Sequence, residues 1–145
     1  EQLRELHRRH PAVVRAMSLS RRFGHQASLA AGFDEARGEV VICMDSDMQH
    51  PPHLVPFLLW QWSLGHQLVY TRRRKQEGRS PLKEFASQCF YRAINYLSEV
   101  HLEDGTADFR LMDRVVVDAL RRFGERWLFY RGLVQWAGYR RVAVW

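Results

Sequence analysis

Two aspartates, Asp45 and Asp47, stand one residue apart directly after the apolar run Val40-Val41-Ile42-Cys43-Met44. β-Branched residues dominate that run, and Gly38 and Pro51-Pro52 bound it, so it reads as a short strand buried on both faces. In an open α/β sheet, ligands bind in the crevice outside the carboxyl ends of the strands. Two carboxylates placed there need a partner for their charge, and a hard divalent cation bridging to a phosphate is the commonest one. The same residues also suit a solvated turn with acidic caps for the helix that Pro51-Pro52 opens. Spacing alone leaves both readings open.

The rest of the chain must place this stretch. With 145 residues, 46% hydrophobic and 26% charged, the composition is that of one globular domain with a real core. No apolar run approaches the roughly 18–20 residues that span a bilayer. The chain begins at Glu1 inside a helical pattern, so we expect it to be part of a longer protein. Two cysteines, Cys43 and Cys89, suggest a reduced setting and no disulfide framework. The net charge of +6 fits a basic solvated surface, nucleic acid, an anionic membrane face or a phosphorylated substrate, and does not choose among them.

In order, residues 1–10 read as an amphipathic helix stopped by Pro11, and residues 13–19 as a strand with Arg15 near an edge. Residues 20–25 form a basic turn, able to contact a phosphate or simply solvated. Residues 26–37 make a small-residue helix capped by Gly38. Residues 53–64 are an apolar helix ended by Gly65, with Trp60 and Trp62 in a core or interface. Residues 67–71 are a strand leading into Arg72-Arg73-Arg74-Lys75. Residues 81–100 read as a long helix. Residues 103–110 are a second acidic turn carrying Asp108, and 111–113 begin another element. Helices at 114–123 and 128–137 follow, then a strand at 139–145. Helices alternating with short strands argue for a layered α/β domain.

Several blocks in one order resemble family 2 glycosyltransferases, in particular the polyprenyl-phosphate type (dolichyl-phosphate mannose synthase-like). They are Ser20-Arg21-Arg22-Phe23-Gly24 with the alanine-rich helix, Asp45-Ser46-Asp47-Met48-Gln49 before Pro51-Pro52, and Val69-Tyr70 before the arginines. Phe90-Tyr91-Arg92, the block Ala107 to Arg114, and Arg131-Gly132-Leu133 continue the series. The resemblance implies an α/β, GT-A-like (Rossmann-like) mixed sheet flanked by helices. It also implies that residues 1–145 are a partial catalytic domain lacking the first nucleotide-binding strands, and inactive alone.

The implied reaction is an inverting transfer from a UDP- or GDP-sugar to a polyprenyl or dolichyl phosphate, at the cytoplasmic face of a membrane, with Mg2+ or Mn2+ and no nucleic acid. By position, Asp45 would contact the nucleotide-sugar, and Asp47 with Gln49 would bind the metal. Arg72, Arg74, Arg110 and Arg131 would face donor or acceptor phosphates, and Asp108 would be the catalytic acidic residue at the acceptor. His50 and His53 stand where the family usually has acidic residues, and we read them as solvated histidines at a helix start; a metal-binding His pair is the other reading. Alternatives are a polysaccharide or lipid-hydroxyl acceptor, a haloacid dehalogenase-like phosphatase, in which the first aspartate of a D-x-D is the nucleophile, and a basic nucleic-acid module.

Overall fold

The computed structural model describes residues 1–72, 106–122, 130, 132–133 and 137–144. The expected helix at 81–100, with Cys89 and the block Phe90-Tyr91-Arg92, lies outside them, as do Arg73, Arg74, Lys75, Arg131 and most of the expected helix at 128–137.

Four strands form one mixed sheet: β1 (Val40–Cys43), β2 (Leu68–Arg72), β3 (Thr106–Asp113) and β4 (Arg141–Val144), in the order β1-β3-β2-β4. β3 runs antiparallel to both β1 and β2, whereas β2 and β4 are parallel. β1, β2 and β4 therefore point the same way, and β3 is the reversed strand between β1 and β2. The helices are α1 (Gln2–Arg9), α2 (His25–Glu35), α3 (Val55–Ser63) and α4 (Arg114–Arg122), with a 3-10 turn at Pro52–Leu54 before α3.

Alternation along the strands sorts side chains to two faces. On one, Cys43, Leu68, Tyr70 and Met112 pack with Phe33 of α2, with Val116, Val117 and Leu120 of α4, and with Tyr130. On the other, Val69, Phe109, Leu111 and Val144 pack with Leu58 of α3. Leu58, Val69 and Leu111 are fully buried, and burying a side chain of that size contributes roughly 1.5–3 kcal/mol. The sheet thus has helices on both faces, the layering expected.

Local chemistry explains the joints. Gly24 precedes α2 at φ 93° and Gly65 follows α3 at φ 88°, a left-handed backbone that glycine adopts without strain. Gly38 does not cap α2, which ends at Glu35 with Ala36 extended. Glycine is needed there because a Cβ would lie 2.9 Å from the Val40 carbonyl oxygen. Asp113 starts α4: its Oδ1 accepts the Val115 N–H at 2.9 Å, and its Oδ2 accepts Trp62 Nε1–H at 2.7 Å, tying α3 to α4. Trp62 is half-buried, while Trp60 is exposed beside Phe57.

Three further expectations need correction. Residues 13–19 form no strand: they pair with no strand among the described residues, Val13 and Met17 are exposed, and the Val13 and Val14 N–H groups turn back to the His10 carbonyl instead. Residues 106–110 are no turn but the first half of β3, inside the sheet. β1 is only half-buried until Cys43, because it pairs with β3 alone among the described strands.

Candidate active site

β1 delivers the chain to Asp45 at the carboxyl end of the sheet, where β3 enters. Cys43 is the register partner of Arg110, so Asp45 and Asp108 each lie two residues beyond that pair. Residues i and i+2 of a strand share a face, and Arg110 Nη2 donates to Asp108 Oδ1 at 2.7 Å with both side chains buried. The other carboxylate oxygen, Oδ2, lies 3.4 Å from Nε2 of His25, the first residue of α2. Both oxygens of Asp108 therefore have cationic or N–H partners, which satisfies a buried carboxylate.

Cys43 reports on the same charges. Burial raises its thiol pKa to about 11; Arg110 opposes the rise, and Asp108 and Asp45 add to it. A thiol held that high stays protonated at neutral pH, which removes Cys43 as a nucleophile.

The acidic loop leaves the sheet from Asp45. Asp47 Oδ1 accepts the Gln49 N–H at 3.0 Å, an Asx turn that holds the loop tip. Asp47 and Gln49 are exposed there, and Met48 between them is 96% exposed at φ 65°. A non-glycine residue in the left-handed region is uncommon and costs about 1–3 kcal/mol, a strain that clusters at functional loops. His50 brings the loop back. Its Nδ1 accepts the Asp45 N–H at 2.9 Å, and its ring stacks on Phe109 at 5.3 Å and 17°.

His50 is buried, 5% exposed, which corrects the expectation of a solvated histidine. The reason is tertiary: the slot beside Phe109 takes an aromatic ring, and Asp45 supplies an N–H for it. His53 is exposed, as expected.

Of the residues expected to bind substrate or metal, Asp45, Arg110 and Asp108 meet at one end of the sheet. Arg72, the last residue of β2, shares that end, since it is in register with Thr106 at the start of β3. Asp47 and Gln49 extend from it on the loop. Arg74 and Arg131 lie outside the described residues. Of the turn at 20–25, the part before His25 is solvated, with the Arg21 guanidinium 4.7 Å over the exposed Phe23 ring, and His25 alone reaches Asp108. Two residues went unrecognised in sequence, His25 against Asp108 and His50 against Asp45. Only the glycine before His25 and the prolines after His50 marked their places.

Among the described residues, no group of three or more His, Cys, Asp or Glu side chains is placed to hold a metal. Asp47 and Gln49 still fit a hard cation, since both offer oxygen. A Mg2+-type ion commonly uses one or two carboxylates plus substrate phosphates rather than an all-protein cage. No helix among the described residues is long and apolar enough to cross a membrane.

Residues 1–121 match the family described as Glycosyl transferase family 2. An uncharacterized glycosyltransferase of Synechocystis is 41% identical over 131 residues, covering 90% of this chain and 41% of the relative. YkcC of Bacillus subtilis, also an uncharacterized glycosyltransferase, is 37% identical over 143 residues, covering 97% of this chain and 44% of the relative. A bactoprenol glucosyl transferase of Shigella phage SfV is 37% identical over 128 residues, covering 88% of this chain and 41% of the relative. The chain thus spans less than half the length of these relatives. With the reversed strand β3 between β1 and β2 and the acidic loop at the sheet's carboxyl end, the chain belongs to glycosyl transferase family 2 and has the GT-A fold.

Proposed function

We propose that the full-length protein is an inverting glycosyltransferase that moves a sugar from a UDP- or GDP-sugar to a polyprenyl phosphate at the cytoplasmic face of a membrane. The observation that carries this reading is the meeting of Asp45 with the buried Asp108–Arg110 pair, beside the exposed Asp47–Gln49 turn. The bactoprenol glucosyl transferase relative supports the acceptor class. The family match lends no support to a phosphatase or a nucleic-acid module.

Each residue has a task in this reading. Asp45 would contact the sugar nucleotide, and Asp47 and Gln49 would hold a Mg2+ or Mn2+ ion. When bound, such an ion neutralises the charge that develops on a departing diphosphate. Arg72, Arg74 and Arg131 would face the donor or acceptor phosphates. A phosphate acceptor is already anionic at neutral pH, so it needs little help from a base. Asp108, paired with Arg110 and within reach of His25, suits a group that holds these N–H donors in place beside an acceptor phosphate.

The test uses the full-length protein in membranes with a panel of UDP- and GDP-sugars and polyprenyl phosphate. Glycosyl-phospholipid detected by mass, and lost with EDTA and with Asp47→Asn, is the expected result. No product with any donor from a folded protein would contradict the proposal.

A further inference from the structure

We propose that His50 is a positioning residue of the acidic loop, whose ring accepts the Asp45 N–H at Nδ1, stacks on Phe109 and so fixes the Asp45 main chain against β3. This deepens the proposed function, and rests on it for the identity of the ligand that the loop serves.

Three observations converge. The Asp45 N–H donates to Nδ1 at 2.9 Å, so Nδ1 presents its lone pair and the ring proton sits on Nε2. The Asp45 carboxylate oxygen lies 3.8 Å from the same nitrogen, beyond hydrogen-bond range, so the main chain and not the side chain is what the ring grips. The ring is also clamped by its stacking on Phe109, the residue between Asp108 and Arg110. One imidazole thus joins the start of the acidic loop to the strand that carries the buried ion pair.

The remaining atom sharpens the point. Nε2 is buried with no hydrogen-bond partner among the described residues, and an orphaned buried donor is unfavourable. An apolar ring would fill the slot beside Phe109 without that penalty. What a histidine adds there is the acceptor at Nδ1, and the gain is the placement of Asp45. With the Asp45 amide pinned, the loop carrying Asp47 and Gln49 departs from a fixed point.

The test compares His50→Leu, His50→Asn and His50→Gln in the full-length protein. Asn places its oxygen close to where Nδ1 lies, whereas Gln reaches toward the Nε2 position. Hydrogen exchange read by mass spectrometry over residues 44–51 is expected to quicken in the Leu and Gln variants and to stay near wild type in Asn. With sugar transfer as the second readout, the KM for the nucleotide-sugar is expected to rise about tenfold in Leu and Gln, the size of one hydrogen bond's loss, and to change little in Asn. Wild-type exchange and KM in His50→Leu would overturn the proposal, as would equal behaviour of Asn and Gln. The Asn–Gln contrast decides the matter even where the Leu variant does not fold. A wild-type protein that transfers no sugar counts against the proposed function, and the exchange measurement then decides the role of His50 by itself.

Discussion

Arg110 Nη2 lies 2.7 Å from Asp108 Oδ1, and the two side chains are 7% and 5% exposed. The pair sits on one face of β3, two residues apart, at the strand end where Asp45 arrives from β1. A buried pair contributes little over an apolar replacement, but removing one partner strands the other charge. We expect Arg110→Met to destabilise the protein by about 3–5 kcal/mol in chemical unfolding. Asp108→Asn with Arg110→Met should recover a large part of that loss. Additive losses in the double variant would show that the two charges are not coupled.

Cys43 gives a prediction in pH. Its thiol pKa is raised from 9.0 to about 11, chiefly by burial. The folded protein therefore binds more protons than the unfolded chain between those values, and stability falls as pH rises through that window. The slope is at most about 1.4 kcal/mol per pH unit. Unfolding midpoints measured from pH 8 to 11 should decline more steeply in wild type than in Cys43→Ala. At pH 8 the native thiol should also resist alkylation until the protein is unfolded.

Asp113 serves two elements, and its loss should exceed that of an ordinary surface carboxylate. Asp113→Ala removes the α4 cap, worth about 0.5–2 kcal/mol, and leaves Trp62 Nε1–H without its acceptor. Trp62→Phe removes only the second contact. Thermal unfolding should rank Asp113→Ala below Trp62→Phe, and the reverse order would contradict this account of the joint.

His25 is 47% exposed in its side chain, so its contact with Asp108 adds little to stability. On the proposed function its effect belongs to the reaction instead. His25→Ala should lower kcat/KM by on the order of tenfold, about 1.4 kcal/mol, while the unfolding midpoint hardly moves. An unchanged kcat/KM would remove His25 from the site.

The layered α/β order, the strand before Asp45 and most limits of the described helices were legible in the sequence, because periodicity and proline boundaries act locally. β3 was not. Asp108 and Arg110 alternate with Phe109 and Leu111, and charges at alternate positions read as solvent-facing when they in fact neutralise each other inside the sheet. Residues 13–19 misled in the opposite sense: apolar content suggests a strand, but a strand needs a neighbour to take its hydrogen bonds. His50 beside Pro51-Pro52 looked solvated, since only the folded chain brings Phe109 beneath it.

The central claim is that this site transfers a sugar to a phosphate. The most direct measurement gives the full-length protein one nucleotide-sugar with polyprenyl phosphate in one reaction and with the matching polyprenol, ending in a hydroxyl, in another. The account predicts product from the phosphate and none from the alcohol, because the phosphate arrives already anionic, whereas both oxygens of Asp108 are engaged by Arg110 and His25 and are poorly placed to take a hydroxyl proton. Equal or faster transfer to the alcohol would contradict it.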